Sequence, residues 1–193
     1  MINKHFWLFL VILNSFHSYS QVLNSSALDA ESLNQQMVWV DSIYAQMTLE
    51  EKVGQLIIVF TDSKPSEDEP KRIESLINNL HIGGLLFSVG SPKRQLELTH
   101  RYQKRAKIPL LMTMDAEWGL NMRLKPSFAF PWNMTLGATR DSELIKRVGA
   151  QIGAHNKRVG IHINYAPAVD LNTNPLNPII GNRSFGEDPK VVT

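Results

Sequence analysis

Apolar positions along the chain follow two alternating rhythms. Leu33, Met37, Val40, Tyr44 and Met47 recur at steps of four and three, the spacing that lines one face of a helix, so a helix is predicted over 30–47. Thr48 and Glu51 have capping-box spacing and start a second, short helix that runs into a strand candidate at 56–60. Residues 61–70 are polar with two prolines and read as loop, and 69–80 returns to a helical pattern through Ile73, Leu76, Ile77 and Leu80, ended by Gly83-Gly84. Leu85-Leu86-Phe87 is an apolar run too brief for a helix, and Ser91-Pro92 supplies N-cap and N1 for the next helix, through Leu98, Tyr102 and Ala106. A third strand is predicted over 108–114, ending at Asp115. After an irregular stretch rich in Pro and aromatics, Asp141 caps a helix carrying Leu144, Ile145, Val148, Ile152 and Val159 and closed by Gly160. Ile161-His162-Ile163-Asn164-Tyr165 then alternates as a fourth strand.

Short apolar strands separated by amphipathic helices predict an α/β fold, a parallel sheet with right-handed crossovers, either doubly wound or closed as a (β/α)8 barrel. Spacing alone leaves both open. No G-x-G-x-x-G follows any strand, which weighs against a dinucleotide-binding version. There is no internal repeat and no low-complexity segment.

Composition narrows the function classes. Lys+Arg 20 against Asp+Glu 18 leaves a formal charge of +2, without the basic excess of a nucleic-acid binder, and 43% hydrophobic residues set the chain apart from disordered tails. Zero cysteines exclude disulfides, thiolate metal sites and a cysteine nucleophile. At the N-terminus, Lys4 precedes the apolar run Phe6-Trp7-Leu8-Phe9-Leu10-Val11-Ile12-Leu13, far shorter than a membrane span, and small residues at Ser18 and Ser20 place a signal-peptidase cut before Gln21. The expected organisation is a signal peptide over 1–20, a helical lead-in over 21–47 and the main domain over 48–193. Export to a periplasm or the exterior follows, with no stable membrane span after signal removal; an uncleaved anchor is the alternative.

In an α/β barrel the active face lies at the carboxyl ends of the strands. Asp115 directly follows the third strand and opens Asp115-Ala116-Glu117-Trp118-Gly119-Leu120-Asn121-Met122-Arg123, which sets two carboxylates, an indole and a guanidinium within nine residues. A carboxylate accepts from adjacent hydroxyls, a guanidinium donates in a fork and an indole covers an apolar pyranose face, so the mixture suits a sugar. The bland alternative is a strand-end Asp capping a loop beside a Glu117–Arg123 surface ion pair. A second concentration runs from Asn164 through Asp170 to Pro189, where repeated Pro, Asn and Gly predict a rigid shaped loop at the same face as Asp115. Arg183 within it either clamps hydroxyls or pairs with Glu187 or Asp188 to pin the loop. Other classes lack their patterns: there is no G-x-S-x-G, H-E-x-x-H or Walker A, and His155 and His162 read as a helix-surface and a strand residue, not as metal ligands. Arg101, Lys104, Arg105 and Lys107 read as a solvated helix face.

These residues carry a resemblance. Met47-Thr48-Leu49-Glu50-Glu51-Lys52-Val53-Gly54-Gln55-Leu56, Asp115 through Arg123, Phe130-Pro131, Leu136-Gly137-Ala138-Thr139 and, above all, Asn177-Pro178-Ile179-Ile180-Gly181-Asn182-Arg183-Ser184-Phe185-Gly186-Glu187-Asp188-Pro189 are similar to the N-terminal barrel of glycoside hydrolase family 3. The Asn-Pro and Arg-Ser-Phe form of the last motif resembles the β-N-acetylglucosaminidase branch more than the β-glucosidases. The resemblance implies a TIM-like (β/α)8 barrel, no cofactor, no metal and stepwise removal of terminal β-linked N-acetylglucosamine by a retaining mechanism. The implied partner is a β-linked amino-sugar oligosaccharide or glycoside, such as a peptidoglycan fragment. Within the family a β-glucosidase or β-xylosidase is the alternative, and outside it a sugar-binding protein without catalysis.

Carried over by position, Asp115, Arg123 and Arg183 resemble residues that bind the sugar in the innermost subsite. One departure stands at Trp118-Gly119, where the family commonly has Gly-Gly; the indole either narrows the subsite or stacks on the sugar. The resemblance places the nucleophile and the acid/base group after Thr193, so no catalytic residue is assigned in this chain. On this reading only the N-terminal half or so of the barrel is present, and residues 21–193 alone are expected to be inactive and not to form a stable monomer.

Overall fold

The computed structural model describes residues 32–193, so the expected signal peptide, its cut before Gln21 and the start of the lead-in lie outside the described residues. The chain divides into two compact units, Met1–Gln46 and Met47–Thr193. In the first, Ser32 caps helix α1, Leu33–Tyr44, its Oγ accepting from the Gln35 N–H. The helix is shorter than the 30–47 predicted, and its apolar stripe of Leu33, Met37, Val40 and Tyr44 is exposed.

The second unit opens with α2, Leu49–Gln55, started by the predicted capping box: Thr48 Oγ1 accepts from the Glu51 N–H and Glu51 accepts from the Thr48 N–H. Then follow β1 (Ile58–Ser63), α3 (Asp68–Leu80), β2 (Gly84–Gly90), α4 (Pro92–Arg105), β3 (Leu111–Met114), α5 (Asn133–Ala138), α6 (Ser142–Arg158), β4 (Ile163–Asn164) and α7 (Pro189–Val192). The strands form one parallel sheet in the order β1-β2-β3-β4. A doubly wound sheet reverses its strand order at a switch point. The described strands show no reversal, which is the order of a barrel wall.

Register sorts the strand residues onto two faces. Val59, Leu85 and Met112 pair in one row, Thr61, Phe87, Met114 and Asn164 in the next, and this side is covered by Ile73 and Ile77 of α3 and by Leu98 and Tyr102 of α4. The opposite side carries the row Phe60, Leu86, Thr113, Ile163, with Phe60 60% exposed and Ile163 40%. Strands apolar on both faces belong to a sheet built to be covered on both.

Strand boundaries move from the predicted ones for identifiable reasons. Leu56 and Ile57 donate their N–H groups back to Val53 and Gly54 to finish α2, so β1 starts at Ile58 instead of 56. It also runs into the expected loop, because Thr61 and Ser63 are buried and Thr61 Oγ1 donates to Glu69. β2 outgrows its three-residue prediction and ends at Gly90. β3 starts at Leu111, not 108: Pro109 has no N–H, and the Gln103 amide takes both the N–H and the C=O of Leu110, at 2.9 and 2.8 Å. β4 is shorter than 161–165, since the Met112 N–H donates to the imidazole Nδ1 of His162 instead of to a strand carbonyl. Asp141 caps α6 as predicted, its carboxylate accepting from the Leu144 N–H.

In the basic run, Lys104, Arg105 and Lys107 are exposed as expected, and its arginines also pair with carboxylates. Arg101 forks onto Glu74 at 2.7 and 2.9 Å, Arg105 meets the same carboxylate, and Arg101 also reaches Glu67. Glu74 is 9% exposed, and hydrogen bonds from Arg101, followed by attraction to both arginines, hold its carboxyl below the ordinary 4.5. A carboxyl held lower in the folded state contributes stability above its unfolded value, and that contribution is lost as pH falls through the folded value. Stability, measured as the urea midpoint, is therefore expected to fall as pH is lowered below about 4.5, and Glu74→Gln should flatten the fall. An unchanged pH dependence in the variant contradicts the assignment. Gln103→Ala removes two hydrogen bonds to Leu110 and is expected to cost about 1–3 kcal/mol; an unaltered melting temperature would show that the clamp carries no stability.

Candidate functional site

The site starts at the carboxyl end of β3. Asp115 follows Met114, and the Asn164 side chain, at the end of β4, holds the next residue by both its groups: Oδ1 accepts from the Ala116 N–H at 2.8 Å and Nδ2 donates to the Ala116 C=O at 3.1 Å. The two strand ends are thereby locked together where the chain leaves the sheet. Gly119 then turns at φ 89°, a left-handed conformation in which a Cβ would lie 2.7 Å from the Phe130 ring. Trp118 lies outside the left-handed region, so the turn is borne by Gly119 alone and the indole fits without backbone strain. A short 3-10 turn, Leu120–Met122, brings Arg123 back over the start of the loop.

Two arginine–carboxylate pairs result. Arg123 donates from Nη2 to the Asp115 carboxylate at 2.5 Å and from Nε to the Asp115 C=O at 2.7 Å. Arg183 crosses from the second motif and forks onto Glu117, with Nε 3.0 Å from both carboxylate oxygens and Nη2 at 2.5 Å from Oε1. The bland pairings are both absent: Arg123 meets Asp115, not Glu117, and Arg183 meets Glu117, not Glu187 or Asp188. Sequence spacing could not reveal this, because the Glu117–Arg183 partners stand 66 residues apart.

Burial separates the pairs. The Glu117 side chain is 3% exposed, whereas those of Arg183, Arg123 and Asp115 are 37%, 26% and 35% exposed. Hydrogen bonds donated to Glu117 hold the Arg183 guanidinium above its ordinary range, so it is charged at any working pH. Glu117 is thus the buried anchor, while Asp115, Arg123 and Arg183 keep oxygen and nitrogen edges open to a ligand. Glu117 counts in the sequence as one of two carboxylates in a sugar-suited segment or as a surface ion-pair partner of Arg123; the structure makes it instead the buried partner of Arg183, three residues beyond the end of β3.

The loop carrying Arg183 is fixed independently. Asn133 of α5 donates from Nδ2 to the Arg183 C=O at 2.8 Å, and Ser184 Oγ donates to the carbonyls of Asp170 and Gly186. Gly137 of α5 lies so close to the Phe185 carbonyl that a Cβ would come within 1.8 Å. Asn177 Oδ1 accepts from the N–H groups of Ile179 and Ile180 and shapes the turn before the 3-10 helix Gly181–Arg183. Trp118 packs on Trp132 with ring centroids 4.1 Å apart. Of the histidines weighed as ligands, His162 accepts from the Met112 N–H and His155 lies against Phe130. Among the described residues no group of three or more His, Asp or Glu is placed to hold a metal ion.

Glu117→Gln keeps the side-chain shape and removes the charge facing Arg183. It is expected to cost about 1–3 kcal/mol of stability and to speed amide exchange at 183–186. Stability and exchange rates equal to wild type would show that the pair does not fix the loop.

Comparison with known proteins places this geometry. Residues 48–193 match the glycosyl hydrolase family 3 N-terminal domain. A β-N-acetylglucosaminidase/β-glucosidase of Cellulomonas fimi is 29% identical over 156 residues, covering 81% of this chain and 27% of the relative. β-Hexosaminidase A of Pseudoalteromonas piscicida is 36% identical over 137 residues, covering 64% of this chain and 23% of the relative. Among solved structures, a glycoside hydrolase family 3 β-N-acetylglucosaminidase from Paenibacillus sp. str. FPU-7 superposes with a TM-score of 0.66 at 35% identity, over 76% of this chain and 29% of its own. The chain therefore spans about a quarter of the length of these relatives, and its parallel sheet is part of a TIM-like barrel. Through the match over residues 48–193, the chain belongs to glycosyl hydrolase family 3.

Proposed function

We propose that this chain is the N-terminal part of an exported, exo-acting retaining glycosidase that releases terminal β-linked N-acetylglucosamine, with Asp115, Arg123 and Arg183 holding the glycone. The observation that carries the reading is the crossed arrangement of the Asp115–Arg123 and Glu117–Arg183 pairs at the strand carboxyl ends. It leaves a partly exposed carboxylate and two guanidinium edges converging from two loops. Names carried by the relatives from Cellulomonas, Pseudoalteromonas and Paenibacillus support the amino sugar as glycone. A glucoside is the second reading, favoured by the double name of the Cellulomonas relative.

On this reading the Asp115 carboxylate accepts from adjacent glycone hydroxyls while Arg123, bonded to the Asp115 carboxylate and C=O, holds it in place. Arg183, oriented by Glu117, donates to the same ring. Glu117 positions; it does not react, because all its contacts are spent on Arg183 and it lies away from solvent. Retaining hydrolysis needs a nucleophilic carboxylate and an acid/base group on either side of the scissile bond. Both are proposed to come from sequence beyond Thr193. The export segment at the N-terminus would carry the protein to a periplasm or the exterior; no described helix is long and apolar enough to cross a membrane.

Chromogenic N-acetylglucosaminide, glucoside and xyloside, assayed with the complete gene product, test the reading. N-acetylglucosaminide is expected to turn over fastest; faster glucoside turnover would select the second reading, and binding without turnover would leave a sugar-binding protein. In the same assay Asp115→Ala should lose at least one charge-assisted hydrogen bond, about 1.5–3 kcal/mol or roughly a 10- to 100-fold fall in kcat/KM, with the melting temperature little changed. A near-normal kcat/KM, or loss of the fold, would contradict the glycone-binding role.

A further inference from the structure

We infer that Gln95, Thr99 and Tyr102 of α4 form an internal hydration site, which holds a short chain of ordered water between this helix and the sheet. The inference is independent of the glycosidase reading and concerns polar side chains that the charged pairs do not use.

The three residues stand at i, i+4 and i+7 of α4, one stripe of a helix, and the stripe is enclosed. Gln95 and Tyr102 are 0% exposed and Thr99 is 5% exposed. Leu98, between them in sequence, belongs to the apolar core with Leu85, Phe87 and Met114. The amide oxygen and nitrogen of Gln95, Thr99 Oγ1 and the Tyr102 hydroxyl all lack a hydrogen-bond partner among the described residues. Other buried hydroxyls of the same sheet are matched, Thr61 donating to Glu69 and Thr113 to the Leu85 C=O. An enclosed polar atom left unpaired lowers the folding constant on the order of tenfold, so four on one stripe call for partners from outside the chain.

Geometry and chemistry name the occupant. Side chains on a helix lean toward its N-terminus, which carries the Tyr102 hydroxyl back over the turn that holds Thr99 and toward Gln95. Stacking on Phe87, with ring centroids 6.3 Å apart, holds the Tyr102 ring in place, and Thr99 sets its Cγ2 methyl toward Gly160. The polar atoms thus follow one another along about 10 Å of helix without bonding to each other, a run that bridging molecules span. The stripe is also neutral. Burial pushes the Tyr102 hydroxyl up to about 12, so it stays protonated and both donates and accepts, as the Gln95 amide does. An enclosed, uncharged site with donors and acceptors suits neither an ion nor an apolar molecule. It suits water, which makes about three hydrogen bonds when buried.

A high-resolution crystal structure of the complete gene product tests the site directly. Water oxygens are expected about 2.7–3.2 Å from the Tyr102 hydroxyl, Thr99 Oγ1 and the Gln95 amide. Tyr102→Phe and Gln95→Met keep the side-chain shapes and give a second reading through the sign of their effect. If water pairs with these groups, each variant loses hydrogen bonds, and amide exchange along α4 should quicken about 2- to 10-fold. If the groups are unpaired, each variant removes a buried polar atom without a partner, and exchange should slow. Wild-type density without water on the stripe, side chains hydrogen-bonded directly to one another, or exchange that is unchanged or slower in both variants overturns the hydration site.

Discussion

The ion pair between Glu117 and Arg183 is the constraint on which the rest of the site depends. A buried carboxylate costs several kcal/mol to desolvate unless its oxygens are matched. Glu117, at 3% side-chain exposure, is matched by the fork of one guanidinium that the chain supplies 66 residues later. That requirement draws the loop ending in Gly181–Arg183 over the end of β3. Once there, the loop is fixed by Asn133 on the Arg183 carbonyl and by the close approach of Gly137 to Phe185. Arg183 is left partly exposed, and Asp115 with Arg123 forms a second pair whose carboxylate is more open than Glu117.

The sheet makes this arrangement available. Four parallel strands in sequential order bring their carboxyl ends to one rim, and the Asn164 side chain ties β4 to the first residue beyond Asp115. The helix-covered face is an ordinary apolar core. The other face carries Phe60, Leu86 and Ile163 in one row, the surface expected of the interior of the barrel to which the family membership assigns it.

Much of the fold was legible because periodicity and capping are local. The capping box at Thr48, the Ser91-Pro92 start and the Asp141 cap all stand where residue spacing put them. Strand limits were less legible, because backbone groups near them are claimed by helix ends or by side chains distant in sequence, as Gln103 claims Leu110 and His162 claims the Met112 N–H. In the site, Asp115, Arg123 and Arg183 could be singled out from their place after strands and within motifs, but not their pairing. Charge spacing offered local partners as alternatives, Glu117 with Arg123 and Arg183 with Glu187 or Asp188. In the structure the enclosed carboxylate of Glu117 is met by Arg183, and only the three-dimensional structure orders side chains by burial.

Asp115, Arg123 and Arg183 are proposed to meet one sugar ring together. A crystal structure of the complete gene product soaked with N-acetylglucosamine measures this directly. The expected result is a single pyranose whose hydroxyl oxygens lie about 3 Å from the Asp115 carboxylate and from the guanidinium groups of Arg123 and Arg183, with the Glu117–Arg183 fork unbroken. A sugar bound elsewhere, with those three side chains making only their mutual contacts, would contradict it.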